Sequence, residues 1–196
     1  MTLPRLLLLT DRTQLPQGRT LTDQIARAVD AGVRAVVLRE RDLAPADRSQ
    51  LADDIAALLH DVGGVLIAAS PGIAAASGLH LRSADALPPQ PPTLLGRSCH
   101  TDADLARARA DRVDYAVLGP VAPSESKPGY GPTLGRAGLE RMLADHTGPP
   151  VYALGGVTPD NVAAWLDAGA YGVAVMGPLM RSADPESLAR GLLAAL

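Results

Sequence analysis

Two glycine turns in the last third of the chain could bind a phosphate group. Val151–Leu154 is an uninterrupted apolar run, and Gly155 and Gly156 follow it directly. Such a run predicts a strand that is buried on both faces. The two glycines allow a sharp turn and leave backbone amides uncovered by side chains. Because bare amides close to a helix start bind anions well, we expect Gly155 and Gly156 to help hold a phosphate.

A second turn of the same kind follows one helix later. Thr158 and Pro159 are suited to begin that helix, as an N-cap residue and a first helical residue. The next apolar strand lies within Ala168–Gly177 and leads into Met176 and Gly177. In a (β/α)8 barrel, the loops after the seventh and eighth strands frequently form a phosphate site. The pair of turns therefore predicts a phosphate ligand and places these strands seventh and eighth.

A long polar loop at residues 119–135 could add side chains to the same ligand. Ser124, Ser126 and Lys127 lie in this loop among several glycines and prolines. Two hydroxyls and one ammonium beside bare amides could hold a phosphate monoester. Because the loop is too long for a plain connection, it is typical of a binding loop or a lid.

Strand-like and helix-like segments alternate along the chain. The predicted strands are Leu6–Thr10, Ala35–Leu38, Val65–Ala68, Gly78–Leu81, Leu94–Arg97, Tyr115–Leu118, Val151–Leu154 and one within Ala168–Gly177. This spacing favours the α/β class and a (β/α)8 TIM barrel, formed by residues 1–196 as a single domain. The crossover after the third strand is short enough to predict a degenerate helix of one turn. An open doubly wound sheet is the alternative, because periodicity alone does not prove closure.

Composition and charge exclude several classes of protein. Hydrophobic residues make up 47% of the chain, which is enough for a sizeable core, although Phe is absent. The net charge of −3 and the lack of a Lys/Arg-rich run argue against a nucleic-acid partner. The single cysteine, Cys99, excludes an internal disulfide and a multi-cysteine metal site. The apolar run Leu6–Leu9 is too short for a signal peptide or a membrane span, so we expect a cytoplasmic protein without a membrane partner.

Short segments spread along the chain share their order and spacing with one known family. They are Leu8–Arg12, Val37–Arg41, Gly78–Leu81, Gly96–His100, Asp114–Tyr115, Gly119–Lys127, Ala153–Thr158 and Gly172–Met176. In these segments the chain resembles the thiamine-phosphate synthase / TenI family of thiamine biosynthesis. The resemblance implies a (β/α)8 barrel, a thiazole phosphate as the small-molecule ligand and possible self-association into a homo-oligomer.

The synthase of this family joins a pyrimidine diphosphate to a thiazole phosphate and releases pyrophosphate with help from magnesium. Its second strand typically reads Gln-Leu-Arg-x-Lys; Val37–Arg41 keeps the two cations, Arg39 and Arg41, and lacks the glutamine. Its third strand ends in Asn-Asp-Arg, where this chain has residues 68–71, Ala-Ala-Ser-Pro, with neither an amide nor a carboxylate side chain. Asp85 is the one match for a magnesium carboxylate, and one carboxylate is a poor magnesium site. Magnesium is therefore expected only if the chain is a synthase.

The half of the family's site that binds thiazole phosphate is matched better. Ser124–Lys127 corresponds to the synthase's Thr-x-Thr-Lys, with serines in place of threonines. Gly155 and Gly156 supply the diglycine turn, and Met176 and Gly177 follow the last strand. The synthase often has serine at the position of Gly177. We expect all of these residues to bind the substrate.

The TenI branch of the family keeps the thiazole-phosphate half and isomerises a thiazole carboxylate phosphate to its aromatic tautomer. This proton transfer needs a base and an acid but no metal or other cofactor. Arg39–Arg41 and Gly96–His100, the segment that contains Ser98, resemble TenI more than the synthase. The resemblance therefore implies a TenI-like thiazole tautomerase in which Arg39, Arg41 and Ser98 bind the substrate.

The identity of the base is the main question for a tautomerase. The TenI branch can carry a histidine directly after the glycine of the sixth strand, and this chain has Pro120 there. His100 and Glu40, both close to strand ends, are the candidates to carry the proton. Two alternatives stay open: a transferase whose diphosphate site is rebuilt around the two arginines and Asp85, and a non-catalytic binder of thiazole phosphate or thiamine phosphate.

Overall fold

The computed structural model describes residues 3–126 and 131–196, and its strands form a closed parallel barrel. The strands are β1 (Leu6–Leu9), β2 (Ala35–Leu38), β3 (Val65–Ala68), β4 (Gly78–Leu81), β5 (Leu94–Cys99), β6 (Tyr115–Leu118), β7 (Val151–Leu154) and β8 (Gly172–Val175). They follow chain order around the barrel, and β1 pairs with β8 in a register that sets Leu6 beside Val173. This pairing closes the sheet, so the predicted (β/α)8 barrel is confirmed and the open sheet is excluded.

Helices surround the barrel. They are α1 (Leu21–Asp30), α2 (Pro45–His60), α3 (Asp102–Ala110), α4 (Gly135–Leu143), α5 (Val162–Asp167), α6 (Gly177–Arg181) and α7 (Pro185–Ala194). Short 3-10 helices at Arg12–Gln14 and Pro159–Asn161 follow β1 and β7. Within residues 3–126 and 131–196, none of the helices has both the length and the hydropathy of a membrane span.

The crossovers on either side of β4 depart from the regular βα repeat. In the described structure, neither residues 69–77 nor residues 82–93 form a helix, so the short third crossover is confirmed and the fourth is also irregular. Arg97, which has no solvent exposure, holds the fourth crossover in place. Its Nη1 donates to the carbonyl oxygens of Arg82, Ser83 and Asp85 at 2.9–3.1 Å, and its Nη2 donates to Asp111 at 2.6 Å. The buried Arg97 guanidinium thus stabilises a crossover that has no helix in the described structure.

Two apolar clusters form the core. Alternate strand residues such as Leu7, Val37 and Ile67 fill the inside of the barrel. Their neighbours, including Leu6 and Leu8, pack outwards against the helices. With no Phe in the chain, tyrosine rings supply the bulk inside the barrel. The largest buried side chains there are Tyr115 and Tyr152, whose rings meet edge to face.

Candidate active site

A cavity of about 800 Å³ opens at the carboxyl ends of the strands, where (β/α)8 enzymes place their chemistry. It is bounded by the ends of β1, β2, β5, β6, β7 and β8. The sequence-predicted site residues that line it are Arg39, Ser98, His100, Ser124, Ser126, Gly155, Gly156, Met176 and Gly177. The motifs picked out by type and spacing therefore meet in one place, and their roles towards a ligand stay predictions.

The diglycine turn after β7 has a conformation that requires glycine. Gly155 and Gly156 have φ values of 107° and 61°, which side-chain-bearing residues rarely adopt. A Cβ on Gly156 would also come within 2.7 Å of the Ala122 Cβ. Asn161 donates from Nδ2 to the Gly156 carbonyl at 2.9 Å and so ties the turn to the next helix. Backbone thus presses closely against backbone where the phosphate cradle is predicted.

A polar cluster around Ser126 borders this cradle. The Arg181 Nη1 donates to the Ser126 hydroxyl at 2.9 Å and also contacts the Gln14 side chain, and its Nη2 pairs with Glu125 at 3.1 Å. A Cβ on Gly177 would overlap both Ser126 and Arg181. Gly177 therefore makes room for a guanidinium where the synthase often has a serine hydroxyl. The sequence analysis missed Gln14 and Arg181; the signal was an arginine one helical turn after Gly177.

The other members of the 119–135 loop are described only in part. The backbone amide of Ser126 donates to the Ser124 hydroxyl at 3.3 Å, so the two predicted serines are neighbours in one turn. Lys127 lies outside the described residues, and its predicted contact with phosphate stays a prediction.

His100 has the geometry of a base. Its Nδ1 lies 2.6 Å from the Gly119 carbonyl oxygen. Because a carbonyl oxygen only accepts hydrogen bonds, Nδ1 carries the proton, and in the neutral ring Nε2 keeps its lone pair. His100 follows β5 and lines the cavity next to Pro120. His100, which follows β5, therefore lies beside Gly119 and Pro120, where the TenI branch can carry its histidine after β6.

A buried chain of hydrogen bonds lies behind Ser98. The His80 Nε2 is 2.9 Å from the Ser98 hydroxyl, and its Nδ1 is 3.0 Å from the Tyr115 hydroxyl. Burial, and then the charges of Arg39, Arg41 and Arg97, lower the pKa of His80 to about 3, so the ring is neutral near pH 7. The sequence analysis did not count His80 among the site residues, because a histidine inside a short strand is usually a packing residue.

The Tyr115 hydroxyl decides which groups donate in this series of hydrogen bonds. Among the described residues, the His80 ring is the hydrogen-bond partner of the Tyr115 hydroxyl. Burial raises the pKa of Tyr115 well above its ordinary value, so the phenol keeps its hydrogen, and this buried hydrogen is satisfied when it is donated to the ring. Nδ1 of His80 then accepts, and Nε2 donates to the Ser98 oxygen. The Ser98 hydrogen is left to donate to a ligand in the cavity.

Glu40 is placed differently from His100. It is 4% exposed and accepts from the Arg12 backbone amide, with its carboxylate oxygens 3.2 and 3.3 Å away. The Arg12 Nε lies 3.8 Å from the same carboxylate. Among the described residues, Arg39 lines the cavity, whereas its neighbour Glu40 does not. Glu40 therefore stabilises the loop after β1 through the Arg12 amide. Its role as a base stays a prediction.

The residues expected to hold magnesium do not fit the ion. Asp85 is the one candidate carboxylate, and both of its oxygens are engaged by Arg82 at 2.8–2.9 Å. Arg41 extends to the end of β3, where its Nε donates to the Ala69 carbonyl at 2.9 Å. Residues 3–126 and 131–196 contain no group of three or more His, Cys, Asp or Glu side chains able to hold a metal ion. Magnesium prefers several oxygen ligands, and this end of the barrel offers it guanidinium groups instead.

Comparison with known proteins identifies the family. The family model described as thiamine monophosphate synthase matches residues 6–179. A thiamine-phosphate synthase from Methanoculleus marisnigri is 35% identical, with 95% of this chain and 92% of the relative covered. Another from Moorella thermoacetica is 31% identical, covering 92% and 90%. The thiamine phosphate pyrophosphorylase from Pyrococcus furiosus shares the fold, with a TM-score of 0.83, 22% identity, and 97% and 94% coverage. This chain therefore belongs to the thiamine monophosphate synthase / TenI family.

Proposed function

We propose that this chain is a transferase that joins a thiazole phosphate to a pyrimidine diphosphate, in preference to the tautomerase that its motifs favour. The relatives that match over nine-tenths of the chain carry the synthase name. The observation that carries the proposal is a single cavity bordered by two sets of anion-binding groups. The serines follow β6 and the glycine turn follows β7, whereas Arg39 follows β2 and Ser98 lies in β5.

In the proposed reaction the thiazole nitrogen forms a bond to the methylene carbon of the pyrimidine. The bond from that carbon to the diphosphate oxygen breaks, and pyrophosphate leaves with its electron pair. Ser124, Ser126 and the amides after β7 hold the thiazole phosphate and so fix the attacking nitrogen. Arg39 offsets the negative charge that develops on the leaving group, and the Ser98 hydroxyl donates to an acceptor on the pyrimidine.

A second candidate is the thiazole tautomerase, and the His100 geometry favours it. A base with a free Nε2 at the cavity could remove the proton that tautomerisation moves. This activity would use the thiazole-phosphate side of the cavity alone. It needs no metal and no second substrate.

A paired assay on the purified chain separates the candidates. One reaction contains thiazole carboxylate phosphate alone, and the other contains thiazole phosphate and pyrimidine diphosphate, each with EDTA or with magnesium. Thiamine phosphate in the second reaction supports the transferase. An aromatic tautomer in the first reaction, without thiamine phosphate in the second, supports the tautomerase. No product in either would contradict both and leave the non-catalytic binder.

A further inference from the structure

At the end of the barrel at β2, β3 and β4, the candidate magnesium carboxylate already has a partner. Asp85 accepts from the Arg82 amide at 2.9 Å and from the Arg82 guanidinium at 2.8–2.9 Å. These hydrogen bonds also hold the pKa of Asp85 below its ordinary value. The carboxylate is therefore ionised, and its charge is already balanced by Arg82. A magnesium ion placed here would have to displace that partner first.

Positive charge is gathered at the same end. The Arg41 guanidinium lies on the Ala69 carbonyl at the end of β3, and Arg39 contacts the Met176 sulfur, which carries no charge. Within residues 3–126 and 131–196, neither Arg39 nor Arg41 forms an ion pair. Burial, and then the charge of Arg82, lower the pKa of Arg41, as expected for neighbouring cations. Arg39 and Arg41 thus follow β2 and Arg82 follows β4, at the same end of the barrel as the paired Asp85 carboxylate.

We propose that Arg39, Arg41 and Arg82 bind a diphosphate group directly, without a divalent cation. Guanidinium groups match phosphate oxygens through two parallel N–H donors, which a metal ion does not provide. The same three charges would repel magnesium at close range. This inference rests on the proposed function in one respect, since the diphosphate is that of the pyrimidine substrate. The arginine site replaces the metal in holding it.

Titration calorimetry of pyrophosphate into the whole chain tests the inference. It is done first in EDTA and then with excess magnesium, and neither thiazole phosphate nor turnover is needed. We expect binding in EDTA, and no tightening with magnesium. Arg41→Gln and Arg82→Gln should each weaken binding roughly tenfold, as for the loss of a charge-assisted hydrogen bond. The Arg82 side chain is 69% exposed, so its variant tests the site even where Arg41→Gln disturbs β3.

Arg27→Gln is the matched control. Arg27 lies in the last turn of α1, which precedes β2 and so ends at the opposite end of the barrel, and it is exposed. Its variant removes the same charge and should bind pyrophosphate as the wild type does. Binding that appears only with magnesium would overturn the inference, as would an equal loss in Arg27→Gln and Arg41→Gln. Because the transferase assay is separate, either claim can fail without the other.

Discussion

The two proposed anion sites at the carboxyl end of the barrel are built from different groups. At β6, β7 and β8, the proposed phosphate site consists of glycine turns, serine hydroxyls and closely packed backbone, as at Gly156 and Ala122. The proposed diphosphate site consists of arginine side chains, Arg39 and Arg41 after β2 and Arg82 after β4. The first site agrees with the family's pattern, and the second keeps its cations but departs from it in its carboxylates.

This difference has a physical reason. A turn whose glycines have positive φ and press on neighbouring backbone tolerates few substitutions, because any side chain strains it. A site made of side chains at the ends of strands can change one residue at a time while the barrel stays closed. The arginine side could therefore lose the carboxylate that the synthase has after its third strand, and the glycine side could not change its chemistry in the same way.

Replacing Arg97 should have the largest effect and would show how far the arginine side depends on one side chain. Arg97→Met removes the buried donor of three carbonyl groups and of the Asp111 carboxylate, and leaves the exposed Arg107 as the remaining partner of most of them. We expect a loss of about 3–5 kcal/mol in the free energy of unfolding, as for other broken buried pairs. Urea denaturation measures this loss. A change below about 1 kcal/mol would show that the crossover does not need the guanidinium, since that is the usual effect of exposed pairs.

A pair of glycine variants sharpens the comparison on the other side. Gly156 and Gly63 have similar φ values of 61° and 66°, but a Cβ on Gly63 would meet no atom within 4 Å. Gly63→Ala should cost about 1–2 kcal/mol through backbone strain alone. Gly156→Ala should cost more, because it also meets Ala122 and Pro123, and it alone should weaken phosphate binding. Equal losses of stability in the two variants, by thermal unfolding, would contradict the tight fit of this turn.

The pH dependence of stability tests the buried chain behind Ser98. In the folded protein the pKa of His80 is lowered to about 3, so between this value and about 6.5 the unfolded chain binds a proton that the folded chain does not. The free energy of unfolding should therefore fall as pH drops below about 6.5, by up to about 1.4 kcal/mol per pH unit. His80→Gln should flatten this slope between pH 7 and pH 5. An unchanged slope would mean that another group causes it.

The smallest effect should come from Glu40. Because Glu40 holds the Arg12 amide and does not line the cavity, Glu40→Gln keeps one acceptor for that amide. We expect turnover to fall by less than about tenfold, which is the range for weakening one hydrogen bond. His100→Asn is the comparison if the chain is a tautomerase, and it should lower that activity by about 100-fold or more. A larger loss in Glu40→Gln than in His100→Asn would reverse the assignment of the base.

Most of the barrel could be predicted from the sequence because its elements have strong local signals. The apolar strands and the helix start at Thr158 and Pro159 needed no tertiary information. The irregular fourth crossover was missed, because its order depends on Arg97, whose partners are 12–15 residues away in the chain. β5 also extends beyond its predicted end at Arg97, to Cys99.

The site was predictable where it depends on turns and less so where it depends on contacts between distant side chains. Gly155, Gly156 and the two serines could be singled out from their residue types and their spacing. The links from Arg181 to Ser126 and from His80 to Tyr115 join residues 55 and 35 positions apart, so sequence patterns carry little sign of them. The sequence singled out Asp85 as the remaining candidate carboxylate, but its pairing with Arg82 appears only in the fold.

The most direct test of the account is a crossed titration with one arginine removed from each of the two proposed anion sites. Arg181→Gln and Arg41→Gln delete the same charge beside Ser126 and beside Ala69. The affinities for thiazole phosphate and for pyrophosphate are then measured in EDTA. The account predicts that Arg181→Gln weakens thiazole phosphate and spares pyrophosphate, and that Arg41→Gln does the reverse. Equal weakening of both ligands by both variants would contradict two separate anion sites.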